Sequence, residues 1–390
     1  MNSRNKNYWL LLICVFSALF SCDVDVTKHN TEEEIESLVI EHNLPSLSAC
    51  VIKDDSIVWQ RVYGFSDRER QIKATDETIY HIGSISKLFI VTAIMHLEEQ
   101  GILDITRDIN DYLPFSVRNP GFPDTPITAK MLLTHTSSLA STKTDADAPG
   151  IWETFQEDQA PSLSEWIPQF ILPTGTYYSS QIWQSDKPGM FELYSNVGSC
   201  VLAYIVEHLT AKDFREYCKD HIFDPLEMHH TSYYYSDIDR SHLALLYQSD
   251  DSVHPFFDIR LSASGSAKTT LNDLAKFLMA CNNGGQVNGI RILAESTVDQ
   301  MLTVQNSTSG RCLIWEASFG GWVGHSGALE AGATAIAEIH PQSKTAFIIF
   351  CNKFQSMLEQ GNEIYGLVRL KANDYIETTN GASFTLIFSP

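Results

Sequence analysis

Short strand-like runs open and close this chain, and helical periodicity fills the middle. Residues 47–53 and 57–63 are rich in β-branched and aromatic side chains. Asp54-Asp55-Ser56 separates them, which predicts an antiparallel hairpin. Similar runs recur near the other end, at 312–315, 322–324, 332–339 and 345–352, with Pro341-Gln342-Ser343-Lys344 as the last hairpin turn. Between these sets, residues 88–97 are apolar except for Thr92 and His96, and the run stops at Gly101. This predicts a helix buried on most sides, closed by a residue free to adopt positive φ. Further helices are predicted over about 198–210, from Asp213 through Cys218, over 271–281 and over about 357–370. A short helix ends in a polar turn within 131–139. At the front, Thr31 and Glu34 fit a capping box before the apolar face of Ile35, Leu38 and Val39.

Strands at both ends with helices between favour an α+β fold. One antiparallel sheet is built from both chain termini and flanked by terminal helices, with a second, all-helical lobe inserted over roughly 84–290. A site between the two would draw residues from both. Residues 140–190 are the least regular, yet carry Trp152, Phe155, Trp166, Phe170, Tyr177, Tyr178 and Trp183. So many large aromatics argue against a disordered linker and leave two readings, a satellite core or the lining of a cleft. Residues 372–390 stay unassigned.

Composition narrows the function classes. With 390 residues, 44% of them hydrophobic, the chain can bury a large core. A formal net charge of −21 argues against nucleic acid or an anionic membrane as partner. Residues 1–21 pair a basic start, Arg4 and Lys6, with an apolar stretch short for a spanning helix, and predict an export signal. Leu19-Phe20-Ser21-Cys22 resembles the lipobox of bacterial lipoproteins. Cys22 is therefore a candidate lipidation site, with ordinary signal cleavage as the alternative because Phe20 is bulky for that motif. Residues 22–43 then form a tether and first helix, 44–371 the main domain, and the protein belongs in the cell envelope. Cys50, Cys200, Cys218, Cys281, Cys312 and Cys351 are scattered, several in apolar runs, as buried small hydrophobes are. Export permits disulfides without saying which cysteines pair. Zinc-ligand spacing is missing, His229-His230 reads as surface, and no metal or cofactor is expected.

Ser84 and Lys87 sit at the start of the buried helix, three residues apart and so on one face. A serine hydroxyl is a poor nucleophile until a base takes its proton, and an amine in a dry site has a lowered pKa and can do so. Helix-start N–H groups favour developing negative charge. Ser-x-x-Lys alone is cheap, since it recurs at Ser3/Lys6, and it reads as readily as a helix-start serine with a snorkelling lysine. Two more motifs follow in order: Tyr194-Ser195-Asn196, the one Tyr-x-Asn in the chain, and His325-Ser326-Gly327.

This order resembles the penicillin-recognising serine hydrolase family, which includes class C β-lactamases, serine DD-peptidases and related esterases. The resemblance runs over about 44–352. It extends to Leu132-Leu133-Thr134-His135-Thr136-Ser137, Pro188-Gly189, Asp224-Pro225-Leu226-Glu227-Met228, and Ser264-Gly265 ahead of Asp273-Leu274. It implies that Ser84 attacks a carbonyl carbon to give an acyl-enzyme, while Lys87 and Tyr194 share the proton traffic as one titrating unit. Asn196 would donate to a substrate amide and steady Lys87. The amides of Ser84 and Ala328 would form the oxyanion hole, each donor worth ~3 kcal/mol of barrier. His325, on the edge strand of the cleft, would polarise Tyr194 or meet a substrate carboxylate, and Gly327 would lie against the substrate. His135 would be a packed-turn residue.

Two departures stand out. Dedicated class C β-lactamases carry lysine where this chain has His325. Histidine there is similar to the DD-peptidases and esterases, and exchanges a permanent charge for a pH-dependent one. Ser138 stands where the family often has glycine. The implied function is an exported serine hydrolase acting on an amide or ester of a peptide or small molecule. A penicillin-binding or sensor protein that acylates and deacylates slowly is the alternative.

Overall fold

The structure, a computed structural model, describes residues 31–140, 150–307, 309–354 and 361–376; the export signal, Cys22 and the tail beyond 376 lie outside them. Strands from both ends of the chain build one sheet. β1 (Ser46–Lys53), β2 (Ser56–Asp67) and β3 (Ile72–Lys73) come first, then β4 (Tyr80–His81) and β5 (Lys268–Thr269), which pair with each other apart from the sheet. β6 (Glu316–Ala317), β7 (Val323–Leu329), β8 (Ala333–His340) and β9 (Thr345–Cys351) complete the set. The seven-stranded order is β6-β7-β8-β9-β1-β2-β3. The seam between the two chain ends is the antiparallel β1–β9 pair, with Leu47 opposite Cys351 and Lys53 opposite Thr345.

The helices are α1 (Thr31–Glu41), α2 (Ser86–Glu99), α3 (Ala129–Leu133), α4 (Leu163–Ile171), α5 (Asn196–Thr210), α6 (Phe214–Cys218), α7 (Ser262–Gly265), α8 (Leu271–Asn282), α9 (Glu295–Leu302) and α10 (Gly361–Asn373). The central strands β1, β8 and β9 are buried on both faces, while β2 and β3 at the edge are largely open to solvent, and side-chain alternation sorts the central residues between two cores. Leu47, Ala49 and Val51 of β1 join Phe347 and Ile349 of β9 against Ile35 and Val39 of α1 and Ile364 and Val368 of α10. Cys50, Ile52, Ile348 and Phe350 point the other way, into the core shared with α2, α5 and α8. Two-sided burial is why β9 reads as a continuous apolar run rather than an alternating one. α2 is the axis of the larger core: every residue from Leu88 to Met95 is at most 1% exposed. Each large apolar side chain buried there contributes roughly 1.5–3 kcal/mol. Gly101 takes φ +70 just past the end of α2.

Three expectations change. Residues 312–315 are not a strand. Cys312 to Trp315 are fully buried and fold as a tight turn, with the Cys312 amide on the Trp315 carbonyl and Ile314 at φ +65. An apolar run that fills a core need not pair. The irregular stretch contains α4, opened by a reciprocal Ser162/Glu165 capping box. Its Trp166 and Phe170 enter the main core, and Tyr177, Tyr178 and Trp183 pack at its edge. Among the described residues, four two-residue ladders, β4–β5 among them, run between the helices. The cysteines Cys50, Cys200, Cys218, Cys281, Cys312 and Cys351 are free and buried. Among the described residues no helix is long and apolar enough to cross a membrane.

Candidate active site

Ser84 does not stand on the α-helix itself. It is the middle residue of a 3-10 turn, Gly83–Ile85, that leads into α2. Gly83 holds φ +51 there, a conformation open to glycine. The turn packs backbone to backbone against β7. A Cβ on Gly327 would lie 2.0 Å from the Ile82 carbonyl oxygen and 2.9 Å from the Ser84 nitrogen, and one on Gly83 would lie 2.7 Å from the Ala328 nitrogen. Glycine at both positions therefore brings the amides of Ser84 and Ala328 to one junction. β6 covers only Val323 and Gly324 of β7, so the strand from His325 onward has no partner on that side among the described residues.

One turn on, Lys87 is wholly buried. Its amine donates to Ser84 Oγ at 2.9 Å and to the Ser264 carbonyl at 2.9 Å. Burial drives its pKa down to about 7, so near neutrality a large share of the amine is uncharged and able to accept a proton. The Tyr194 ring lies over it, 5.0 Å from Nζ to the ring centre.

Tyr194 reaches the site from an irregular segment that ends at α5. Ser195 caps that helix, its Oγ accepting from the Gly198 amide at 2.9 Å, and Asn196 opens it, half-buried. Burial pushes the Tyr194 phenol above its ordinary value, while the facing Ser84 hydroxyl works the other way. The phenol makes no hydrogen bond of regular geometry with it. The His325 ring centre is 6.1 Å from that of Tyr194. Its Nδ1 donates to the Ser326 carbonyl at 2.5 Å, leaving Nε2 as a bare acceptor, buried and unpartnered. Burial first, and the charge of Lys87 second, lower its pKa to about 3, so the ring is neutral at physiological pH. Buried polar atoms are normally satisfied. Two orphans, a phenol and an imidazole nitrogen, beside a serine–lysine couple mark a place built to receive something polar.

The structure brings Ser84, Lys87, Tyr194, His325, Gly327 and Ala328 together, with Asn196 two residues beyond Tyr194 at the start of α5. Two supports of Tyr194 go beyond the sequence reading, which puts His135 in a packed turn without a partner and does not single out Arg311. His135, at φ +55, packs against Tyr194 with ring centres 4.6 Å apart and the rings tilted by 45°, and its Nδ1 accepts from the Ser195 amide at 3.2 Å. Arg311 binds Glu192 at 3.0 Å and the Ile314 carbonyl at 3.0 Å, and also pairs with Glu316. It thereby fixes the residue two before Tyr194. Ser138 explains its own departure: its φ is +62, which favours glycine, and Asn119 holds the serine by a 2.9 Å bond to its hydroxyl. Among the described residues no three His, Cys, Asp or Glu side chains gather as a metal site.

Known proteins share the sequence family and the fold. PbpX of Bacillus subtilis (strain 168) is 26% identical over 329 residues, 82% of this chain and 74% of PbpX. Protein flp of Staphylococcus aureus (strain MW2) is 26% identical over 259 residues, 64% of this chain; the match spans about half of that longer protein, 49%. A class C β-lactamase from Rhodobacter sphaeroides shares the fold at 18% identity with a TM-score of 0.67, covering 89% of this chain and 99% of that one. The Beta-lactamase family profile matches residues 31–369, nearly all of the described chain, and the chain belongs to that family.

Proposed function

We propose that the protein is an exported serine hydrolase that cleaves an amide or ester through an acyl-serine intermediate on Ser84. Residues 1–21 act as the export signal and Cys22 carries a lipid anchor in the cell envelope. The observation that carries the catalytic reading is the 2.9 Å bond from a wholly buried Lys87 to Ser84 Oγ. Ser84 Oγ attacks the substrate carbonyl carbon as Lys87 takes its proton. The carbonyl oxygen becomes an oxyanion facing the amides of Ser84 and Ala328. Collapse expels the amine or alcohol, which receives the proton through Lys87 and Tyr194 acting as one unit. Asn196 holds the substrate amide and Gly327 lies against the substrate. His325 Nε2 accepts from Tyr194 or from the substrate. Water then attacks the ester, the same groups return the proton to Ser84, and the acid leaves. No step draws on a metal or organic cofactor, and the substrate is a peptide or small molecule rather than nucleic acid.

The test is intact-mass spectrometry of the protein after incubation with a fluorophosphonate and, separately, a penicillin, with Ser84→Ala alongside. A fluorophosphonate adduct on Ser84, absent in the variant, is expected. A lasting penicillin adduct assigns slow deacylation, as in a penicillin-binding or sensor protein, and turnover of D-Ala-D-Ala peptides, short esters or a cephalosporin then separates the hydrolases. An adduct that persists in Ser84→Ala sinks the assignment.

A further inference from the structure

Four residues beyond the carbonyl that holds Lys87 lies a second lysine sealed from solvent. Lys268 is 0% exposed. Its Nζ donates to the Tyr233 carbonyl at 2.7 Å and sits 3.6 Å from the centre of the Tyr235 ring. The Tyr235 hydroxyl donates to the Phe257 carbonyl at 2.8 Å, so in its 2.8 Å bond with His81 Nε2 it is the acceptor. His81 is therefore the neutral Nε2–H form. Its bare Nδ1 is buried without a partner, and burial together with the charge of Lys268 keeps its pKa well below the usual range. The β4–β5 ladder sets His81 directly opposite Lys268.

The segments that this cluster grips are those that meet at the site. β4 ends three residues before Ser84. The segment from α7 to β5 gives the Ser264 carbonyl to Lys87 and the Ala267 carbonyl to the Ile82 amide at 3.1 Å; the Ala267 amide bonds Ser86 Oγ at 3.2 Å. Tyr233, whose carbonyl accepts the hydrogen bond from Lys268, donates its own hydroxyl to the Ser86 carbonyl at 3.1 Å. A buried ammonium is costly, and an apolar side chain of similar length would be cheaper there. Proton transfer at Ser84 does not use Lys268, so the cost needs another return.

We propose that Lys268 is a positioning residue: its cation, seated on Tyr235 and the Tyr233 carbonyl, clamps the 264–268 segment to β4 and so keeps the Lys87 amine on Ser84. The claim rests on the acyl-serine reading above. Burial brings the Lys268 pKa to about 8; Asp258, Asp158 and Glu157 favour its charged form and Arg215 opposes it. Asp258 is itself tied to Ser266 Oγ at 2.8 Å, Asp237 accepts from Ser232 beside β5, and Arg240 lies over the Tyr235 ring at 5.9 Å. A neutral amine keeps the Tyr233 bond but loses the attraction to the ring face. The clamp is complete below about 8 and loosens above it, whereas Lys87 becomes a competent base only as pH rises through about 7. Reactivity of Ser84 then peaks between the two.

The experiment measures the fluorophosphonate labelling rate at Ser84 in the full chain from about pH 6 to about pH 10, with melting temperatures, for the native protein, Lys268→Met and Lys268→Arg. The native profile is expected to be bell-shaped. Lys268→Met slows labelling by ~10- to ~100-fold, the scale of a small misplacement of reacting groups, and loses the alkaline limb. Lys268→Arg retains most of the rate and moves the alkaline limb upward, because a guanidinium stays charged. If Lys268→Met does not fold, Tyr235→Leu, which removes the ring and leaves the amine, is read in its place. A folded variant with the native rate and the native alkaline limb overturns the proposal. A native protein that never labels at Ser84 overturns the acyl-serine reading and this inference with it.

Discussion

The two sides of the site are held by different forces. Lys87 stands on α2 and Ser84 on the turn that leads into it, and residues Leu88 to Met95 of that helix are shut off from solvent by apolar neighbours. Tyr194 ends an irregular segment in which Phe191 and Leu193 are exposed while Glu192 is drawn in by Arg311. The first side gains its geometry from area removed from water, which is non-directional and scarcely salt-dependent. The second gains it from a few directional bonds to residues far along the chain. Precision at Ser84 should therefore fail through bad packing, and precision at Tyr194 through loss of a single polar partner.

The largest break is expected on the packed side. In Gly327→Ala the new Cβ would lie 2.0 Å from the Ile82 carbonyl oxygen, a backbone atom that cannot swing away. The turn and β7 must part, which separates the Ser84 and Ala328 amides. Loss of such a donor typically costs a factor of ~100 to ~1,000 in rate. Fluorophosphonate labelling of Ser84 should slow on that scale. Gly366→Ala on α10, where a Cβ meets nothing within 4 Å, is the control and should add up to ~1 kcal/mol of stability. Equal labelling rates in the two variants would show that the junction does not matter.

A smaller break is expected on the polar side. Arg311→Met leaves Glu192 facing inward without its cation. Removing one partner of a buried pair costs ~3 kcal/mol, discounted here because the Glu192 side chain is 15% exposed. Labelling should slow by ~10-fold as Tyr194 loses its anchor, judged from the size of positioning effects. Adding Glu192→Gln should recover part of the stability and little of the rate. Arg311→Lys should behave like Met in rate, since one ammonium cannot match the spread of guanidinium contacts to Glu192, Glu316 and the Ile314 carbonyl. Native rates in Arg311→Met would place the control of Tyr194 elsewhere, with His135 the next side chain to change.

The same contrast explains what the sequence makes legible. The sheet from both ends and the buried α2 follow from periodicities of two and of three to four residues, so local pattern suffices there, whereas the Ser84–Lys87 spacing alone recurs at Ser3/Lys6 and gains meaning only from the motifs that follow it. Tyr194 and His325 have no local signal and are found only through the order of three motifs. Arg311–Glu192, 119 residues apart, and His135–Ser195, 60 apart, carry no signal in one sequence. Lys268 is the sharpest case. A lysine among Ser, Ala and Thr carries no local sign of burial, yet tertiary packing seals it completely. Residues 312–315 mislead the other way, because an apolar run buried as a turn has the composition of a strand.

The last prediction separates the two sides by pH. Lys87 and Lys268 have pKa values of about 7 and about 8 in the fold, against an ordinary lysine value of 10.5. Between those values the unfolded chain binds more protons than the folded one, so stability rises with pH. Below about 7 both amines are charged in both states and the burial penalty is fully present. Glu207, raised to about 7 by burial, opposes the rise only up to that pH. The buried thiols set the upper limit. Cys50, Cys200 and Cys351 are pushed up to about 12 from 9.0, so the stability they contribute is present below about 9 and is lost as the unfolded chain ionises. Stability should therefore climb by ~2 kcal/mol from about pH 7 to about pH 8.5 and then turn down. Urea midpoints at fixed salt measure it. Lys87→Met should remove the larger share of the climb, since its amine is the more depressed, and Lys268→Met the remainder. A flat native curve over that interval would mean that the two amines are better solvated than their burial implies, and the dry setting that makes Lys87 a base would go with it.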